Sequence, residues 1–158
     1  MPNGLKVKAV DRGVQRALVR LRAFYEDMRP ALQNAATELT RRVKYRFAFK
    51  RDPDGQRWAP WAARTAAMAR SNPKRKLMLN TRQLRDSSKF IAGRKDLRAV
   101  IGTPYGAMHE QPNGPGSGRI PRRAFMLSYK NGRRGLAKSD EAYLLNALRY
   151  QIRKAADQ

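Results

Sequence analysis

The residues of this chain whose types could do chemistry are few. His109 is the only histidine. The nearest approach to a paired-carboxylate site is Asp52 and Asp54, in the stretch FKRDPDGQRWAPW at residues 49–61. Two carboxylates at that spacing could hold a divalent cation, but the DPDG stretch lacks the later ligands of a calcium loop. The plainer reading of the same residues is a turn that buries two large rings, Trp58 and Trp61. Pro53 presets φ there, and Gly55 supplies the positive φ that other residues resist. A histidine-centred metal site would need carboxylates close by, and Gly55–Arg85 holds eight basic residues and no acidic one. A metal nuclease would want several carboxylates with a lysine, and no acidic residue has a lysine two positions on. No G-x-x-x-x-G-K-[ST] loop is present to cradle a nucleotide. With no cysteine, disulfides and thiolate metal sites are excluded. The expectation is a protein that is not an enzyme, with no catalytic residue, no metal and no cofactor. His109 reads as a partly buried, hydrogen-bonding side chain.

The elements that position these residues follow from periodicity. Val10, Val14, Ala17, Leu18, Leu21, Phe24, Tyr25 and Met28 are spaced three and four apart. That predicts a helix with one apolar stripe, and Arg12, Arg16, Arg20 and Arg22 lie mostly off it. Pro30 suits the first turn of a second helix, where its missing N–H costs nothing. Leu32, Ala35, Ala36, Leu39, Val43 and Phe47 carry the same period up to the DPDG turn. A short helix is expected around Ala62–Arg70, ended by Ser71-Asn72-Pro73, with Lys74-Arg75-Lys76 solvated. From Ser87 the period changes. Phe90-Ile91, then Leu97, Ala99 and Ile101, predict a hairpin around Gly93–Asp96. Pro112–Gly118 (PNGPGSG) reads as a flexible loop. Phe125, Leu127 and Tyr129 alternate as a further strand, broken by Asn131-Gly132. Ser139 can N-cap a last helix whose buried side would be Leu145, Leu148 and Ile152, with Asp140 and Glu141 in its favourable first turn. The expected class is α+β: two N-terminal helices, a small, mostly antiparallel sheet and a C-terminal helix, in one domain over residues 1–158.

Charge then bounds the partners. The chain has 158 residues, 35 Lys and Arg against 12 acidic residues, and a formal net charge of +23. A balance so far from zero points to an acidic counterpart: nucleic acid, an acidic protein surface or a headgroup layer. No stretch approaches the ~20 apolar residues of a membrane span, and the start, MPNGLKVKAVDRG, lacks the apolar run of a signal peptide. A soluble, intracellular chain is therefore expected. The basic residues concentrate in Arg41–Arg51, Arg70–Lys76 and Arg119–Arg134. On the second helix, Arg42, Lys44 and Arg46 are expected on sides flanking and opposite the core. No zinc finger, basic zipper or RNA-binding aromatic signature is present, so sequence-blind phosphate contact is the nucleic-acid reading that stands.

The order of several motifs carries a resemblance. F-x-x-x-x-D-P-D-G-x-x-W-x-P (Phe47–Pro60) is followed by L-x-L-N-T-R-Q-L (Leu77–Leu84), V-I-G-T-P-Y-G-A-M-H-E (Val100–Glu110) and R-I-P-R-R-A-F (Arg119–Phe125). Together they resemble the phage virion morphogenesis, or tail completion, family of Mu-like and related tailed bacteriophages. Its pattern runs from a DPDG-W-x-P turn through L-x-x-T-G-x-L and I-G-T-x-x-x-Y-A-x-x-H-Q-x-G to I-P-x-R-P-F. The motif positions in this chain are Leu84, Gly102, Tyr105, His109, Ile120, Pro121 and Phe125. Arg82 stands in place of the family's glycine, which suggests a looser or already helical turn between Thr81 and Leu84. Gly106-Ala107 and Glu110 vary the next motif, and Ala124 replaces a proline.

The resemblance implies a structural virion protein, related to tail terminators, that completes the tail and joins it to the head. It would sit at the neck as a homo-oligomeric ring, a hexamer by analogy, after assembly in the host cytoplasm. Its partners would be further copies of itself, the tail tube protein and head–tail connector proteins, with genomic DNA passing through the lumen and no membrane contact. By the same analogy Trp58 and Trp61 pin the loop after the long helix onto the core or an adjacent subunit, and Asp52, Pro53, Asp54 and Gly55 reverse the chain. Arg119, Arg122 and Arg123 are the leading candidates to meet acidic protein or DNA, followed by Arg94 and Lys95. Two other readings stay open at this point: a basic, sequence-independent nucleic-acid-binding protein, and a head-maturation factor.

Overall fold

The computed structural model describes residues 12–72, 76–79, 81–110 and 121–157. The loop 112–118, Arg119, Ile120 and Val10 lie outside them. Helix α2 (Arg29–Phe49) is the axis on which the rest is assembled. Pro30 stands in its first turn as expected, and Lys50 ends it in the left-handed conformation, φ 54°. Its stripe of Leu32, Ala35, Ala36, Leu39, Val43 and Phe47 is no more than 4% exposed at any position. Trp58, Leu77, Leu84, Phe90, Phe125 and Met126 close the core over it.

The expected first hairpin is present. Strands β1 (Lys89–Ala92) and β2 (Leu97–Val100) pair antiparallel with Phe90 opposite Ala99. Its turn is closed by the Gly93 N–H donating to the Asp96 carbonyl at 2.8 Å. The hairpin lies against α2, where the Phe90 N–H donates to Thr40 Oγ1 at 2.9 Å. The chain also contains the short helices α3 (Ala63–Arg70), α4 (Gln83–Ser87) and α5 (Gly106–Glu110).

A second hairpin was not foreseen. Strands β3 (Ser128–Lys130) and β4 (Arg133–Gly135) flank Asn131-Gly132, whose φ values are 51° and 76°. Two successive positive φ angles are what a two-residue hairpin turn requires, so Asn131-Gly132 joins two strands rather than ending one. Phe125 and Leu127 precede β3 instead of belonging to it. The class is α+β, with helices at both ends and the strands divided between two antiparallel hairpins.

The terminal helices depart from their expected packing. Helix α6 (Lys138–Asp157) already includes Ser139, which therefore does not cap it. The Ala137 carbonyl takes the first helical bonds, from the Asp140 and Glu141 N–H groups at 2.9 Å each. Leu145 and Ile152 are 44% and 42% exposed. The inward positions are Tyr143, Leu144, Ala147, Leu148 and Gln151, a stripe rotated from the expected one. Helix α1 (Arg12–Glu26) has no buried residue. It lies on α6, and Arg20 donates from Nε and Nη2 to the Ala155 and Ala156 carbonyls, both at 3.1 Å. A guanidinium there satisfies carbonyls that the end of a helix leaves without partners and complements its negative pole.

Candidate functional site

The DPDG stretch folds as a closed turn. Asp52 accepts the Gln56 N–H on Oδ1 at 2.8 Å and the Gly55 N–H on its carbonyl at 3.0 Å, and Gly55 has φ +87°. Pro53 is buried. Asp54 Oδ2 accepts the Ser128 hydroxyl at 2.5 Å, which ties the turn to β3. Both aspartates are thus engaged with the protein's own groups. No cluster of three or more His, Asp or Glu that could hold a metal ion occurs among the described residues.

The two tryptophans behind the turn differ. Trp58 is buried, its ring edge-on to Phe47 at 5.3 Å between centroids, and its Nε1–H donates to the Ala124 carbonyl at 2.8 Å. An indole needs such an acceptor when its hydrophobic body is buried. Trp61 is half-buried and packs on the edge of the core.

Trp58 leads to a dense polar arrangement around a strap formed by residues 122–128. Glu110, 3% exposed at the end of α5, accepts three successive backbone N–H groups of the strap. Phe125 and Met126 donate to Oε1 at 2.7 and 2.6 Å, and Leu127 to Oε2 at 3.3 Å. Burial pushes the Glu110 carboxyl above its ordinary value, while the three N–H donors and the Arg122 charge act to lower it. From the other side, Arg46 Nη1 donates to the Phe125 and Met126 carbonyls at 2.9 and 3.4 Å. Arg46 Nη2 pairs with Asp140 Oδ2. Asp140, 1% exposed, also accepts from Arg42 at 3.2 Å. Arg42 continues to Glu38 at 3.0 Å, and its guanidinium sits 4.7 Å over the Tyr143 ring. The strap has no ladder of its own at Phe125 and Met126, so the Glu110 carboxyl and the Arg46 guanidinium take the place of strand partners on its two edges.

Neither Glu110 nor the Arg46–Asp140 pair was singled out by sequence. Arg46 was expected on a flanking or opposite side of α2. It stands three residues after Val43, however, and that spacing puts it on the buried stripe. The signal existed, but a positive charge argued against using it.

The candidate contact residues separate into two groups. Arg123 is corrected to an internal role: it is 6% exposed, and its guanidinium donates to the Ala59 and Pro60 carbonyls at 2.8 and 2.7 Å. Arg122 is half-buried, donating to the Glu110 and Leu127 carbonyls at 3.3 and 3.4 Å. Arg94 and Lys95 are exposed at the β1–β2 turn. Even there the Arg94 carbonyl accepts the Met28 N–H at 2.8 Å, and Lys95 lies 4.2 Å over the Tyr25 ring and 3.5 Å from Glu26. Arg119 lies outside the described residues.

The remaining motif positions divide between packed and exposed ones. Leu84 and Phe125 are buried, Tyr105 and Pro121 exposed, and Ile120 falls outside the described residues. A Cβ on Gly102 would come within 2.5 Å of the Ser87 Cβ, which explains a glycine there. His109 is half-buried as expected, but among the described residues its Nδ1 is buried without a hydrogen-bond partner. The expected hydrogen-bonding role of its side chain is therefore corrected: its carbonyl is engaged instead, accepting the Arg123 N–H at 3.0 Å. Burial and the Arg123 charge hold the imidazole below its ordinary pKa, so its neutral form is favoured. Arg82 has φ 60° immediately before α4. The stretch from Thr81 to Leu84 is already helical from Gln83, as one of the two expected alternatives has it, and at Arg82 itself an arginine adopts the left-handed conformation that glycine takes without strain.

A concave surface lies beside the residues that flank the turn. A cavity of about 570 Å³ is lined by Phe49, Trp58, Pro60, Trp61 and Leu77, with Lys50, Arg51, Arg57 and Lys76 around it. No helix among the described residues is long and apolar enough to cross a membrane.

Comparison with known proteins points to a structural protein. Neither the curated proteins nor the solved structures contain a match to the chain. The model of the phage virion morphogenesis family matches residues 9–153, nearly the whole chain. The chain therefore belongs to the phage virion morphogenesis family, and its role lies in the structure and assembly of a phage virion.

Proposed function

We propose that this protein completes the tail of a tailed bacteriophage and joins it to the filled head. It works at the neck as a homo-oligomeric ring, a hexamer, between the tail tube and the head–tail connector, and it carries out no catalysis. The observation that carries the reading is the family match across residues 9–153. The site geometry supports it: buried Glu110, Arg46 and Asp140 are engaged in holding the strap, and Asp54 ties the DPDG turn to β3, as suits a part that must keep its shape between neighbours. The net charge of +23 suits acidic faces on adjoining rings or DNA passing through the lumen.

Electron microscopy of lysates from a phage with an early stop codon in this gene tests the proposal. Filled heads beside detached tails are expected. Empty or unfinished heads would move the protein to head maturation, and normal infectious particles would overturn the assembly role. The net charge also favours a second reading, a basic, sequence-independent nucleic-acid-binding protein. That reading requires affinity for DNA to fall with salt at a log–log slope near −0.9 per phosphate contacted. Filter binding across a salt series measures it.

A further inference from the structure

The cavity beside the DPDG turn has a composition that the strap and core do not explain. Its surface combines the rings of Phe49 and Trp61 with Leu77, while Lys50, Arg57 and Lys76 stand exposed around it. Phe49 is 67% exposed, an unusual state for a phenylalanine at the end of the helix that builds the core. It stacks on Tyr45, itself 47% exposed, with ring centroids 6.3 Å apart, so the apolar surface continues along the outer side of α2. Among the described residues, Lys50, Arg57 and Lys76 have no side-chain hydrogen bond or ion pair that would neutralise them.

We infer that this cavity docks an acidic protein segment that inserts an apolar side chain between Phe49 and Trp61 while its carboxylates meet Lys50, Arg57 and Lys76. The volume lies within the range of sites that enclose a ligand group. A buried apolar anchor inside a charged rim is the usual anatomy of a protein-binding site. Charge complementarity selects the occupant. A second copy of this chain would bring its own excess of positive charge against the rim. A nucleic-acid duplex, its bases already stacked, would satisfy the cations and leave the aromatic surface in water. The inference rests on the proposed assembly role, in which neighbouring virion proteins supply the segment.

Two exposed substitutions, Phe49→Ser and Arg57→Glu, test it without entering the core, with unfolding midpoints confirming the fold. The probes are a labelled Asp/Glu-rich peptide with a central Phe-Leu pair, the same peptide with Ser-Ser, and a single-stranded oligonucleotide of equal charge. Fluorescence anisotropy near physiological salt should show the Phe-Leu peptide binding about tenfold tighter than the Ser-Ser peptide. Each substitution should remove about tenfold of that affinity. Equal binding of the two peptides, equal loss of oligonucleotide binding in the variants, or wild-type self-association abolished by Phe49→Ser would overturn it. In the phage, the double variant should leave detached tails. Normal particles from the double variant beside detached tails from the stop codon would sink the docking site and leave the assembly role standing. Normal particles from both would sink the assembly role itself.

Discussion

The strap at residues 122–128 and helix α1 are both arginine-rich sequence with interleaved apolar residues, yet they are held in opposite ways. In the strap, Phe125 and Met126 are fully buried, and Glu110 and Arg46 occupy the backbone on either side. In α1 the periodicity is clearer, but Val14, Leu18, Val19 and Tyr25 are all more than half exposed. A stripe buries only as much as its neighbours can cover, and among the described residues α1 packs mainly on α6. Clear amphipathic spacing thus marks a helix without showing where the stability lies. The strap, which has no such spacing, is fixed by charged side chains reaching across the fold.

The contrast is broken most severely at Glu110. Glu110→Ala leaves three strap N–H groups without an acceptor, and chemical denaturation should show a loss of about 4 kcal/mol. Arg46→Met comes next, at about 3 kcal/mol, because it exposes two strap carbonyls and half-unpairs a buried Asp140. Adding Asp140→Leu to it should recover much of that loss. If Arg46→Met alone were harmless, the strap would not depend on its carbonyl side.

Trp58→Phe should cost about 2 kcal/mol through the lost Ala124 bond and the space left behind, while Trp61→Phe should stay below about 1 kcal/mol. Equal losses at the two positions would contradict the assignment of Trp58 as the anchor.

Glu110→Gln sharpens the comparison rather than breaking it. Glutamine keeps an oxygen for Phe125 and Met126, so the change near neutral pH should stay within about 1 kcal/mol. Burial places the folded-state pKa of Glu110 above its unfolded value. Its ionisation therefore disfavours folding: the cost is absent below the unfolded carboxyl range and grows as pH rises through the folded value. The stability of the native protein relative to Glu110→Gln should accordingly fall as pH rises through and above the ordinary carboxyl range. A gap constant over that range would sink the argument. On α1, Val19→Ser should shift stability by no more than about 0.5 kcal/mol. A loss above 2 kcal/mol there would show that α1 is covered in solution.

Much of the site was legible where its cause is local. The DPDG turn follows from the conformational limits of proline and glycine, and the buried face of α2 follows from spacing. Even the substituted glycine is intelligible, since Arg82 keeps the positive φ that the family's glycine would supply. The second hairpin was missed because Asn-Gly was read as an end rather than as a hairpin turn, although its chemistry favours the latter. The roles of Arg123 and Arg46 were missed for another reason. A run of arginines looks solvated in sequence, and only packing reveals that two of them have carbonyl acceptors 63 to 80 residues away.

By itself the sequence determined the α+β class, the central helix and its buried stripe, the first hairpin, the closed turn and the family. These rest on φ preferences, periodicity and motif order, all properties of neighbouring residues. The tertiary structure alone decided which charges are internal, which face of α6 is covered, how far α1 is exposed, and that Glu110 and Arg46 grip the same two peptide units from opposite sides. A charge is solvated or buried according to what the rest of the chain brings to it, and no window of sequence contains that partner.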